Sequence, residues 1–250
     1  MDGQRVDLLQ LPSKGYGYPK DIEIYVKPLS VKEQIDMERY GISDAEYFRI
    51  LLGGITIHGD FNKNNLLHSD VQFMDIVRRL FSYDTRDKIT IEDCVCMYPD
   101  CGHKFNYEFT IDQIEFTDFK KDIFGKHFRF QEGTEDELEI VISPVTVSEY
   151  MKMSKEFRND SSKKNSLSAM YTDYMCACTR EIVGRTFKDD RDRNSYLKGY
   201  IENLCMAKDK KVLKQIIDET IIKVKPFVLT CEACGRETEV VVRPTSNFQQ

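Results

Sequence analysis

The chain has 250 residues, 42 acidic against 36 basic for a net charge of −6, 41% hydrophobic residues and no tryptophan. That length allows one large domain or two small ones, with ample chain to bury a core. No run reaches the ~20 apolar residues of a membrane-spanning helix, and the acidic balance argues against a protein that works mainly by coating nucleic acid.

The N-terminus, MDGQRVDLLQLPSK, has no basic segment followed by an apolar run, so no secretory signal is expected. Residues 11–19, LPSKGYGYP, form a turn-rich lead. They lack the G-x-x-x-x-G-K-[ST] spacing of a phosphate loop, no strand is read before them, and the segment reads as structural. Ile22, Ile24 and Val26 then alternate as one face of a strand. Pro28 ends its pairing, because proline has no donor to give. Ser30-Val31-Lys32-Glu33 has the spacing of a capping box, in which hydroxyl and carboxylate satisfy each other's backbone amides at a helix start. Apolar text follows at 47–52, and a helix is expected over 70–82, with Phe73, Val77, Leu80 and Phe81 on one stripe.

Residues 94–109 run strand, paired cysteines, glycine, strand, with Cys96 and Cys101 separated by four residues. Cys94 and His103 are alternative ligands beside this pair. Residues 116–130 interleave Phe116, Phe119, Phe124, Phe128 and Phe130 with lysine, histidine and arginine. Such a segment is read first as a connector packed on its own core. Docking on a protein partner and base stacking are the rival readings.

Residues 138–153 then repeat the opening text. Aligned without a gap on 22–37, they share six identities in sixteen positions, at Glu23/Glu139, Ile24/Ile140, Pro28/Pro144, Val31/Val147, Glu33/Glu149 and Met37/Met153. Thr146 and Glu149 restate the capping box. Helical spacing continues through Leu167, Met170, Tyr171, Tyr174, Met175, Cys178 and Ile182, then Leu197 to Cys205, then Leu213, Ile217 and Ile221. The chain from proline to knuckle is 73 positions in the first copy and 90 in the second, a surplus of about one helix.

Cys231-Glu232-Ala233-Cys234-Gly235 closes the second copy as a zinc-knuckle sequence. Two thiolates two residues apart can grip one ion, and the glycine allows the turn that aims amides at sulfur. With Cys96 and Cys101 they supply the four thiolates of a closed tetrahedral Zn2+ site, structural rather than catalytic because no position is left for water. The 129 residues between Cys101 and Cys231 make this a split zinc ribbon that clasps both halves. Cys178 and Cys205 fall on apolar stripes, where a reduced thiol behaves as a small hydrophobe. Cys176 and Cys178 lie about 200° apart on a helix, poor geometry for shared ligation. Thiols so used imply a reducing compartment.

The four histidines adjoin no serine or cysteine nucleophile signature, and neither H-E-x-x-H nor a dinucleotide fingerprint occurs, so the chain does not read as an enzyme. The expected fold is α+β: a first strand–helix–knuckle unit over 1–115, an aromatic and basic connector over 116–137, and a second unit over 138–250. The second unit is enlarged by helices over about 145–225, and the two halves form one cooperative domain. The rival reading is a zinc-ribbon nucleic-acid-binding or transcription accessory protein.

The sequence also resembles the baseplate hub and hub-assembly proteins of T-even-like contractile-tailed phages. The resemblance is carried by LPSKGYGYP and IEIYVKPLSVKE near the start, by HSDVQFMDIVRRLFSYD over 68–84, by the two cysteine pairs, and by Asn247-Phe248 near the end. Continuous matching is confined to the first strand–helix junction and the knuckles. The departure is the first knuckle, with four intervening residues where the family has two, which leaves Cys94, Cys96 and Cys101 as the candidate sulfurs there. The resemblance implies a non-enzymatic part in building the tail baseplate, partners among other baseplate proteins, no small-molecule substrate, and residence in the virion or, during assembly, the host cytoplasm.

Overall fold

A computed structural model of the chain describes residues 3–82, 88–159, 167–205 and 207–240. These form seven α-helices and four small antiparallel sheets, a mixed α/β architecture.

The first sheet has the order β1 (Gln4–Val6), β2 (Glu23–Val26), β3 (Ile55–His58). Its middle strand buries Ile24 and Val26, the alternation expected of a half-buried strand. Two helices, α1 (Val31–Glu38) and α2 (Asp44–Gly53), separate β2 from β3. Each opens with a complete capping box, Ser30 with Glu33 and Ser43 with Glu46. Helix α3 (His68–Ser82) packs against β2 and α2, and the hairpin β4 (Lys88–Val95), β5 (Lys104–Thr110) follows.

The second sheet has the order β6 (Lys126–Phe130), β7 (Leu138–Ile142), β8 (Thr179–Ile182), again with the middle strand second in sequence. Helices α4 (Val147–Asn159) and α5 (Leu167–Cys178) separate β7 from β8. At the start of α4 the Glu149 carboxylate accepts from Thr146 N–H at 2.8 Å while Thr146 Oγ1 accepts from Glu149 N–H at 3.4 Å. Helices α6 (Asp190–Asn203) and α7 (Lys210–Thr220) lead to the hairpin β9 (Phe227–Thr230), β10 (Glu237–Val240).

Each three-stranded sheet has its own apolar core. A third cluster, built on Ile76, Phe109, Ile114, Phe227 and Leu229, joins α3 to both hairpins. The backbone stitches the sheets together twice. Leu67 bridges Thr146, with His68 N–H donating to Val145 O at 3.0 Å and Val147 N–H to Leu66 O at 2.8 Å. Phe116 bridges Val224, with Thr117 N–H on Lys223 O and Lys225 N–H on Glu115 O, both at 2.8 Å.

Several expectations change. A strand, β1, does precede residues 11–19; it leads into a 3-10 turn rather than a helix, so the geometry of a phosphate loop is still missing. What the segment does is dock. Ser13 donates to the buried Asp70 carboxylate from its N–H at 2.9 Å and its hydroxyl at 2.5 Å, and Tyr18 donates its hydroxyl at 2.5 Å. Helix α3 is not one-sided. Phe81 is exposed while Asp75, Arg78 and Arg79 are buried, because the helix lies between two apolar clusters, Asp75 and Arg79 pair with each other and with Tyr47, and Arg78 pairs with Glu33 and two backbone carbonyls. Ile182 is not helical either: α5 stops at Cys178 and Ile182 pairs with Ile140 across the second sheet. Residues 126–130, inside the expected connector, form β6.

Candidate metal centre

The two hairpins end in the two cysteine pairs. In the first, Cys96 N–H donates to His103 O at 2.9 Å, and Cys101 N–H and Gly102 N–H both donate to Tyr98 O, at 2.9 and 3.2 Å. In the second, Cys231 N–H donates to Arg236 O at 3.0 Å and Gly235 N–H to Cys231 O at 2.8 Å. Gly102 and Gly235 sit at φ of +56° and +69°, where a Cβ would be strained. These turns aim amides at sulfur: Tyr98 N–H toward Cys96, His103 N–H toward Cys101, and the N–H groups of Cys234 and Ala233 toward Cys231.

Folding brings the knuckles face to face. The sulfurs of Cys96, Cys101, Cys231 and Cys234 all lie within 4.8 Å of one another. Across the gap, Cys96 Sγ is 3.8 Å from Cys234 Sγ, and Cys101 Sγ is 3.8 Å from Cys231 Sγ. A disulfide would need about 2.05 Å. A tetrahedron of thiolates at ~2.3 Å from zinc has edges of about 3.8 Å, so the donor set and its spacing fit that ion. The chemistry of the thiols is uneven. The Cys234 N–H is the main influence pulling Cys231 down to about 6, whereas at Cys96 the Tyr98 N–H is outweighed by burial and by the other thiols, which push it up to about 12.

A model of the family described as T4 bacteriophage base plate protein matches residues 9–249. The chain belongs to that family. No match is found among curated proteins or among solved structures. Membership makes this a phage base plate protein with a structural role, associated with the virion tail and with other phage proteins. Among its described residues no helix is long and apolar enough to cross a membrane.

The remaining candidate residues of this base plate protein fall elsewhere. Cys94 and His103 are outside the four-sulfur cluster. Cys94 sits in β4 against the third apolar cluster, and the His103 ring lies parallel to Phe105 with centroids 6.2 Å apart. Cys176 and Cys178 are buried and Cys205 is half-buried, all packed with the second core. The five phenylalanines of 116–130 differ in burial. Phe119, Phe128 and Phe130 are buried in the second core; Phe124 packs edge-on to Phe119; Phe116 packs on Phe73 and touches all three clusters. The three buried rings are spent on the protein's own core, whereas Phe116 and Phe124 are half-buried and Phe116 also lines a groove.

A groove of about 610 Å³ opens between α3, α4, α5 and the segment after α7, walled by Phe73, Ile76, Tyr150, Tyr174 and Val224. His68 also lines it, and burial pushes that imidazole down to about 3, so it is neutral. No carboxylate is among the described residues lining the groove.

The residues that sequence reasoning missed are the ones bracing the centre. Arg236 makes a bidentate ion pair with Asp100, both contacts at 2.7 Å, and lies over the Tyr98 ring at 4.8 Å. Tyr98 in turn donates its hydroxyl to Glu237 O at 3.1 Å. The signal was the wider first knuckle: its four intervening residues include Tyr98 and Asp100.

Proposed function

We propose that this protein is a non-enzymatic hub component or hub-assembly factor of the phage base plate, whose two related halves are clasped by one structural zinc on Cys96, Cys101, Cys231 and Cys234. The observation that carries the metal reading is the pair of 3.8 Å sulfur contacts across knuckles 129 residues apart. When bound, zinc supplies a cross-link with a closed shell of four thiolates, without an open position for chemistry. The protein's own residues do the rest: the glycine turns hold the sulfurs converged, and the amides of Tyr98, His103, Ala233 and Cys234 stabilise their charged form.

Duplication is supported by topology and by matching hydrogen bonds. Both sheets follow strand, strand, helix, helix, strand, with the second strand central. Lys27 N–H donates to Gly54 O and Ser143 N–H to Cys178 O, each at 2.9 Å, at equivalent positions of the repeat. The loop between the first two strands of each sheet donates a backbone N–H to a buried aspartate at the start of a later helix. These pairs are Ser13 to Asp70 on α3, at 2.9 Å, and Gln131 to Asp209 before α7, at 3.0 Å. On this matching α7 answers to α3, and α6 is the helix added in the second half.

The non-enzymatic reading rests on the family's structural role. The reduced cysteines suit assembly in the host cytoplasm before residence in the tail. Two measurements test this. Elemental analysis of protein purified without chelator should give about one zinc per chain, lost in Cys231→Ser and Cys234→Ser. Affinity isolation from infected cells at successive times should recover tail proteins; binding to DNA or RNA instead would overturn the reading.

A further inference from the structure

The first knuckle is two residues longer than the second, and the extra length has a structural use. It carries Tyr98 and Asp100 out to meet Arg236, which directly follows the Cys-x-x-Cys-Gly of the second knuckle. Guanidinium and carboxylate meet in a two-point fork at 2.7 Å, a geometry that fixes orientation as well as distance. The same guanidinium lies on the Tyr98 ring, whose hydroxyl reaches the backbone of the next residue, Glu237. Three contacts therefore span the same gap as the four sulfurs, from the same two turns, without using a metal. Four thiolates around a divalent ion leave two net negative charges, and Arg236 brings a positive charge beside them.

We propose that Arg236, Asp100 and Tyr98 form a second clasp, which holds the two half-sites in register and thereby sets the protein's affinity for its metal. The clasp rests on the reading of the four cysteines as a zinc site, and Arg236 is a positioning residue within it. The fork matters more than the charge. Lysine at 236 would keep the charge but lose the planar fork and the stacking on Tyr98.

The test is competition for Zn2+ between the full-length protein and a chelator of known affinity, read alongside the charge-transfer spectrum of the Co2+-loaded protein. Arg236→Met and Asp100→Asn should each weaken zinc about tenfold. The double variant should lose little more than either single one, because both remove the same contact. Arg236→Lys should fall near Arg236→Met, and Arg39→Met, which removes an ion pair with Glu46 in the first half, should change nothing. The cobalt spectrum should keep its four-thiolate signature throughout, which separates misplacement of the half-sites from loss of a ligand. Arg236 and Asp100 side chains are 45% and 63% exposed, so both substitutions are compatible with folding. Affinities of Arg236→Met and Asp100→Asn within twofold of the parent would overturn the clasp, and full recovery in Arg236→Lys would overturn the fork. A parent protein that takes up no zinc would instead contradict the metal reading beneath it.

Discussion

The two sheets solve the same problem with arginines from different places. In each, the strand–proline–helix junction is pinned by a guanidinium that holds the capping-box glutamate and a backbone carbonyl, that of the residue before the proline in the first and of the proline itself in the second. In the first sheet Arg78 comes from α3; it reaches Glu33 at 2.9 Å and Lys27 O at 2.8 Å. In the second sheet Arg180 comes from β8; it pairs with Glu149 and donates to Pro144 O at 2.8 Å. Burial separates them: the Arg78 side chain is 1% exposed, that of Arg180 31%. Arg78 lies so close to Gly54 that a Cβ there would approach its guanidinium carbon to 2.0 Å. What is common to the two junctions is a guanidinium on the capping-box glutamate and on a carbonyl beside it, and the element that supplies it differs.

That difference is open to measurement. Arg78→Met removes a buried guanidinium from the half-exposed Glu33 carboxylate and from two backbone carbonyls, and should cost about 2–4 kcal/mol in denaturant unfolding. A cost near that of an ordinary surface ion pair would break the comparison.

The first half also carries the Asp70 dock, whose titration should be visible. Burial is the main influence, raising Asp70 from 3.8 to about 6 against the hydrogen bonds from Ser13 and Tyr18. The native state then holds this proton to higher pH than the unfolded chain, so stability falls as pH rises from about 4 to about 6 and levels off above. Asp70→Asn should remove that slope, gaining on the parent by on the order of 2–3 kcal/mol between those pH values. Parallel stability–pH curves for the two proteins would show that Asp70 is not the titrating group.

Arg180→Met, whose site admits water, should cost only about 1–2 kcal/mol. The smallest effects belong to the caps. Ser30→Ala and Thr146→Ala should each cost about 1 kcal/mol. A large difference between those two would mean the junctions are not equivalent.

What the sequence made legible was local. The alternation of Ile22, Ile24 and Val26, the proline stop, both capping boxes and the Cys-x-x-Cys-Gly turn depend on neighbours a few residues apart, and all four ligand candidates meet in space. What stayed hidden depends on contacts across the chain. Arg78 and Arg180 do not align when 138–153 is laid on 22–37, so comparing those two stretches could not pair them. Strand β1 is three residues long and is fixed by pairing with β2 rather than by its own pattern. Ile182 fits helical spacing, but Thr179 turns its hydroxyl onto Met175 O at 2.7 Å and the chain leaves as a strand. The phenylalanines of 116–130 admit a docking reading beside the core reading because basic residues alternate with them. On β6 that alternation is the two faces of a strand, with Phe128 and Phe130 turned inward.

The central proposal is that one ion joins the two cysteine hairpins through four thiolates. Zinc K-edge X-ray absorption on the purified full-length protein tests it most directly. The account predicts a single shell of four sulfurs at ~2.3 Å; a shell containing imidazole nitrogen or water, or protein that carries no zinc at all, would contradict it.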